Sequence, residues 1–233
     1  MHAWLPTSQE WSVIGLSLRV SLISVLLMTL PAIACGWLLA RRQFRGKILL
    51  DALVHLPLVM PPVVTGYLLL MLLGRRGFLG RWLHDGLGID IAFTWKAAVI
   101  AAAVMGFPLM VRGVRLAVEL VDRRLEQSAA TLGASPWRVF LTVTFPLAIP
   151  GVIAGAILGF ARSLGEFGAT ITFAGNIIGQ SRTLPVAVYT YMQVPGGDQA
   201  AARLVVISII VSVAALVASE LMSRRAARRL GYA

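Results

Sequence analysis

Arg162 and Glu166 stand four residues apart in FARSLGEFGATITFAGN (160–176), a stretch otherwise made of apolar, small and neutral polar residues. On a helix that spacing puts both side chains on one face. A cation and an anion so placed among apolar residues can neutralise each other and offset the cost of burial. They can also mark the route of a charged solute. These residues alone leave both uses open, with Phe167 and Gly168 as further candidates for a pathway or gate. Other chemistry is scarce. A lone Cys35 forms no intrachain disulfide, and His2, His55 and His84 are too scattered for a metal site. With no G-x-S-x-G elbow, no H-E-x-x-H pair and no pair of intramembrane carboxylates, neither an enzyme, a metal nor a cofactor is expected.

The elements that must hold this pair are apolar and long. The 233 residues are 58% hydrophobic and 13% charged, against about 25% charged in soluble domains. Mean hydropathy is +0.82. Five stretches, near 12–40, 48–73, 93–118, 143–172 and 202–223, reach the roughly 20 residues needed to cross the hydrocarbon core. No cleavable signal is expected at MHAWLPTSQE, because the basic start is missing and the apolar stretch after it is too long for a signal core.

Charge then sets the orientation. With five spans and the N-terminus outside, thirteen of the 21 Lys and Arg fall on one side: Arg41, Arg42, Arg45 and Lys47, then Arg112, Arg115, Arg123, Arg124 and Arg138, then Arg224, Arg225, Arg228 and Arg229. Arg75, Arg76, Arg81, Lys96, Arg182 and Arg203 lie opposite, and Arg19 and Arg162 lie within spans. The excess of cations marks the cytosolic side and puts the C-terminus there. The net charge of +11 therefore reports topology, and no nucleic-acid partner is expected. Within 163–198, Gly, Asn, Gln and Pro are mixed with apolar residues, the composition of a re-entrant or interfacial segment.

LEQSAATLGASPWRVFLTVTFPLAIPG (125–151) interrupts this pattern on the cytosolic side. VDRRLEQSAATLG predicts a short helix ended by Gly133, since glycine most easily takes the left-handed helix-end conformation. Ser135 can cap a second helix with Pro136 in its first turn, where the missing N–H costs nothing. Helix, sharp turn and helix make a ridge, and small Ala129 and Ala130 let a partner approach closely. An amphipathic pair lying on the membrane surface fits the same residues equally well.

Pro57, Pro61, Pro62 and Gly66 interrupt the second stretch, either as a packing kink or as irregular backbone lining a cavity. His55 is expected to be a hydrogen-bonded residue at a helix start rather than a proton relay, and Arg19 to snorkel to the outer interface. Gly151, Gly155 and Gly159 recur every fourth residue, a stripe suited to helix packing within the subunit or its dimer.

The 125–151 segment resembles the EAA loop of ABC importer permeases, which reads E-A-A, three residues, Gly, nine residues, Ile, one residue, Leu-Pro. Aligned on Gly133, Gln127, Ser128 and Ala129 take the E-A-A positions, Val143 the Ile position and Phe145-Pro146 the Leu-Pro positions. Glu126, one residue before the motif, can supply the charge that Gln127 lacks, but from a face about 100° away. The resemblance implies that Glu126, Gln127, Ser128, Ala129, Ala130, Gly133, Ser135, Pro136 and Pro146, in a docking loop over 120–142, meet an ATP-binding subunit. No G-x-x-x-x-G-K-[ST] phosphate loop occurs in the chain, so energy is expected from that partner.

FARSLGEFGA is similar to stretches in permeases for tetrahedral oxyanions, and HLPLVMPPVV followed by GRRGF (55–64, 74–78) resembles the molybdate permeases more than the sulfate ones. The similarity covers nearly the whole chain. It implies an all-α integral membrane protein with the type I ABC importer permease fold and one transmembrane domain over 1–233. It implies a homodimer in the bacterial cytoplasmic membrane among membrane lipid, with two ATP-binding subunits and an extracytoplasmic molybdate-binding protein. Molybdate, with tungstate alongside, is the expected substrate; a sulfate or thiosulfate permease is the near alternative. An ATP-independent carrier is the remote one, disfavoured because no inverted internal repeat is visible. No appended cytosolic regulatory domain is expected.

Overall fold

A computed structural model describes residues 7–229, all of whose regular elements are helical. His2 and the other residues of 1–6, part of the stretch expected to carry no signal, lie outside the described residues. The first helix, α1 (Ser8–Arg41), starts at a capping box in which the Thr7 hydroxyl accepts the Glu10 amide at 3.3 Å and the Glu10 carboxylate accepts the Thr7 amide at 2.7 Å. At about 1.5 Å per residue a helix of this length exceeds the hydrocarbon thickness by roughly 20 Å, so its last turn carries Arg41 beyond the hydrocarbon core.

The second stretch is broken. Two helices, α2 (Lys47–Val59) and α3 (Pro62–Leu73), meet at a bend of 112°. Pro61 and Pro62 lack the amide hydrogens that would continue the ladder, and each disfavours helical backbone in the residue before it. After α4 (Phe78–Leu87) comes α5 (Trp95–Leu120), capped by Thr94 and the most enclosed of the spans.

Three contacts fix the relation of α1 to α5. The Arg19 guanidinium lies 4.4 Å from the centre of the Trp95 ring, a Cβ at Gly36 would come within 2.7 Å of Val114, and Arg41 Nη2 donates to the Val121 carbonyl at 2.8 Å. The two helices are therefore parallel, and the chain between them crosses once. The bent α2–α3 pair is that crossing. Arg115 Nη1, 3.2 Å from both Asp51 carboxylate oxygens, ties α2 to α5.

The return path differs from the expected 143–172 span. A continuous helical run starts at α7 (Pro136–Val139), after the separate α6 (Arg123–Thr131), passes through a π turn at Phe140–Thr144 and continues as α8 (Phe145–Leu164). It stops at Gly165, and α9 (Gly168–Phe173) and α10 (Leu184–Met192) follow as short pieces. The physical cause of the stop is Glu166, whose carboxylate accepts the Ala169 amide at 2.9 Å and so starts a new helix instead of extending the old one. α9 and α10 occupy the outer half: the Phe93 amide donates to the Phe173 carbonyl at 3.1 Å, and the Leu184 amide to Ser17 Oγ at 2.7 Å. The fifth crossing is α11 (Asp198–Arg229), joined to the start of α1 by Arg203 Nη2 and Glu10 Oε1 at 2.9 Å.

Small residues let the core close around α5. Ala97, Ala98, Ala101 and Ala102 are fully buried against Val20, Ala169 and Phe173, so helices approach with little side chain between them.

Candidate functional site

The cytosolic ridge is built by local chemistry. Asp122 Oδ1 accepts the Arg124 amide at 2.9 Å and caps α6. Gly133 ends the turn with φ +86°, its amide donating to the Ala130 carbonyl at 3.0 Å, while the Ala134 amide reaches the Ala129 carbonyl at 3.2 Å. Ser135 Oγ accepts the Arg138 amide at 3.4 Å, and Pro136 opens α7. Gln127, Ser128, Ala130, Gly133, Ser135 and Pro136 are exposed and Ala129 is half-buried. Leu132, at 89% exposed, and Trp137, at 69%, stand out from a surface whose α6 buries no residue at all.

Glu126 faces the other way. Its Oε1 lies 3.1 Å from Arg41 Nε and accepts the Thr144 hydroxyl at 2.5 Å, so the carboxylate braces α6 against α1 and the π turn. It does not stand on the outer face with Gln127 and Ser128. The π turn has a local cause in Pro146, half-buried in the first turn of α8. Having no amide hydrogen, it leaves the Thr142 carbonyl without its usual donor, and its ring crowds that carbonyl. The ladder loosens upstream, with the Phe145 amide bonding five residues back to Phe140. The sequence carries no signal for the roles of Arg41 and Thr144 here. Arg41 sits in a basic cluster and Thr144 in an apolar run, with no pattern joining either to Glu126.

The second group forms where the two interrupted spans meet. Arg162 Nη1 lies 2.6 Å from Glu166 Oε2; the Glu166 side chain is buried, at 2% exposed, and the Arg162 side chain is 26% exposed. A Cβ at Gly168 would come within 2.7 Å of the Pro62 Cβ, and one at Gly66 within 2.7 Å of the Ala169 carbonyl. The break before α3 and the break before α9 therefore lie against each other. Phe167 packs on Tyr189 of α10 with ring centres 5.0 Å apart. Ser163 Oγ donates to the Ala102 carbonyl at 3.3 Å, seven residues into α5, so the pair sits about 10 Å below the outer end of that helix. Non-helical backbone is stable at such depth only inside protein or along a wet cavity. Arg162, Glu166, Phe167 and Gly168 are thus brought together, and the ridge lies at the opposite end of α8.

Between the two groups runs the glycine stripe. A Cβ at Gly151 would collide with Ala117, one at Gly155 would lie 3.1 Å from the Met110 carbonyl, and one at Gly159 would lie 2.5 Å from the Met28 methyl. Gly113 on α5 faces Gly155, so α5 and α8 run antiparallel and nearly backbone to backbone. His55 is in the middle of α2, not at a helix start; its Nδ1 lies 2.9 Å from the Asp51 carbonyl one turn earlier.

Among the described residues, an all-helical arrangement of five crossings, with broken spans meeting near one membrane face and a capped helix–turn–helix ridge beyond the other, has the build of a membrane-spanning component. The chain belongs to the family of binding-protein-dependent transport system inner membrane components, whose model matches residues 32–229. Its sequence is 57% identical over 225 residues, 97% of this chain and 98% of the relative, to the molybdenum transport system permease protein ModB of Escherichia coli (strain K12). From the same organism, the sulfate transport system permease protein CysT is 34% identical over 200 residues, 82% of this chain and 72% of the relative. The fold is also that of a solved bacterial alginate ABC transporter, with a TM-score of 0.74 at 18% identity over 94% of this chain and 80% of that one.

Proposed function

We propose that this chain is the membrane-spanning subunit of an ATP-driven importer for molybdate, with tungstate as a related substrate. It works as a homodimer, with two ATP-binding subunits docked on the 122–140 ridges and a molybdate-binding protein on the outer face. The observation that carries this reading is the pair of exposed short helices fixed by Asp122, Gly133 and Ser135, in a chain that resembles a molybdenum permease end to end. Sulfate is the second reading, kept because CysT is a relative, and the gap between 57% and 34% identity favours molybdate.

Transport follows as alternating access. Each conformation has its own affinity for ATP on the cytosolic partners and for the loaded binding protein outside, and the difference drives the cycle. Closure of the ATP-binding subunits moves the two ridges together. Each ridge is braced to α1 through Glu126 and is continuous with α8, so its displacement tilts the spans as rigid bodies. The helix breaks around Arg162, Glu166, Phe167 and Gly168 then form the gate, where an arginine edge offers weak stabilisation to a passing oxyanion.

The test is molybdenum and sulfur accumulation at trace external molybdate, in a deletion strain with and without this chain. Loss of molybdenum alone, rescued by the chain and by high molybdate, is the expected result. Loss of sulfate uptake with molybdenum spared would move the assignment to sulfate. Failure to co-purify with any ATPase would favour an ATP-independent carrier.

A further inference from the structure

Where α1 leaves the membrane it forms two adjoining hollows with α7 and the π turn. One, of about 320 Å³, opens beside the ridge and is rimmed by Arg42 and Arg123, with Arg41 and Glu126 paired at its back. The other, of about 820 Å³, runs down into the spanning region between Leu30, Ile33 and Trp37 on α1 and Trp137, Phe140 and Phe145 opposite. Trp37, Pro136 and Phe140 line both, so a basic mouth adjoins an apolar trough.

The charges at the mouth are not balanced locally. Glu126 neutralises Arg41, whereas Arg42 and Arg123 are exposed and pair with no acid among the described residues; Arg42 lies 5.7 Å from the centre of the Trp37 ring. Trp37 beside Arg42, with Trp137 lining the adjoining trough, places the mouth at the headgroup level of the cytosolic leaflet. From Trp37 back to Leu30 the trough extends about 10 Å along α1 into the hydrocarbon. A free phosphate has no use for that floor, and an apolar helix has no use for that mouth. An amphiphile with an anionic head and a hydrocarbon tail matches both, and basic pockets between spans on the cytosolic side hold such heads.

We infer that this cleft is a binding site for an anionic phospholipid of the cytosolic leaflet, its head between Arg42 and Arg123 and one acyl chain between α1 and the Trp137–Phe145 wall. A bound lipid then touches α1, α6 and the π turn at once. It stands beside the Arg41–Glu126 brace.

The test is native mass spectrometry of the transporter complex with phosphatidylglycerol or phosphatidylcholine added in turn. The complex should retain phosphatidylglycerol over phosphatidylcholine by about twenty-five-fold, two arginines each contributing roughly fivefold at the membrane surface. Arg42→Gln with Arg123→Gln should abolish the preference, Arg42→Lys with Arg123→Lys should keep most of it, and Ala34→Phe, which fills the trough, should lower retention of both lipids. Equal retention of the two lipids, or an unchanged preference in the Gln variant, would overturn the inference. Displacement of phosphatidylglycerol by inorganic phosphate alone would reduce the site to an anion pocket. Retention by the permease alone but not by the complex would assign the mouth to the ATP-binding subunit instead.

Discussion

Arg41 and Glu126 are separated by 85 positions in the chain, yet their side chains meet at 3.1 Å, and Thr144 closes the group by donating to the same carboxylate oxygen. Both partners are largely enclosed, at 9% and 18% exposed. One end of the brace is the last turn of a membrane-crossing helix and the other is the first turn of the ridge. A force on α6 therefore reaches α1 without passing through α5.

Glu126→Ala should leave the guanidinium bonded to the Val121 carbonyl alone, at a cost of about 1.5–3 kcal/mol. ATP hydrolysis by the complex should persist while uptake per ATP falls severalfold, because the ridge still docks but pulls on less of the bundle. Arg41→Glu with Glu126→Arg should recover part of the coupling. Proteoliposome uptake measured alongside phosphate release reads the ratio; an unchanged ratio in the Glu126→Ala variant would reduce the brace to a packing contact.

Gly133→Pro should abolish docking. Proline fixes φ near −65° where the chain needs +86°, and it removes the amide that bonds Ala130. Gly133→Ala retains the amide and should cost about 1 kcal/mol of local strain, with partial uptake. Pull-down of the ATP-binding subunit by each variant checks the order. ATP-driven uptake at full rate in the proline variant would remove the ridge from the docking surface.

Arg162→Ala leaves the enclosed Glu166 carboxylate without its cation, at roughly 3 kcal/mol, and Glu166→Ala strands the guanidinium and uncaps α9. If the pair serves only to neutralise itself, the double variant should be more stable than the Arg162→Ala single and should transport better. Equal loss of uptake in all three, with normal thermal stability, would assign the arginine to the anion pathway. Thermal unfolding and uptake together separate the two outcomes.

Gly155→Val should be among the most damaging changes in the spans. Its side chain would meet the Met110 carbonyl and the Gly113 Cα, with nowhere to go between two backbones. Overpacking of this kind costs about 1–3 kcal/mol, and more where backbone must move. The variant should lose the well-folded detergent-solubilised species on size-exclusion chromatography. The paired Gly155→Ala should be tolerated with a lower thermal midpoint.

The spans are legible in the sequence because lipid demands long apolar runs, and the ridge because Gly133, Ser135 and Pro136 each carry a local backbone signal. The end of the fourth span is not. The mixed composition of 163–198 signals a re-entrant or interfacial segment but not where the span stops, and only the bond from the Ala169 amide to Glu166 shows why the helix restarts there. The meeting of Pro62 with Gly168 is equally hidden, since nothing local tells two separate breaks to pack together. Glu126 stands one position before the motif and about 100° around the helix from Gln127. That offset is what turns it away from the outer face and toward Arg41.

The π turn at Phe140–Thr144 sets a phase between the two ends of one helical rod. A turn closed five residues back holds one residue more than the regular ladder, and one residue is about 100° of rotation. Ser135 and Trp137 are thus clocked by about that angle relative to Gly151, Gly155 and Gly159, which must keep facing α5. Removing the one residue that the wide turn absorbs would close it into the regular ladder and leave the ridge facing as it does now, whereas removing a residue of the regular ladder between Phe145 and Gly151 would swing the ridge by about 100° in compass direction. The direction in which this ridge points is therefore written in an angle as much as in its residues.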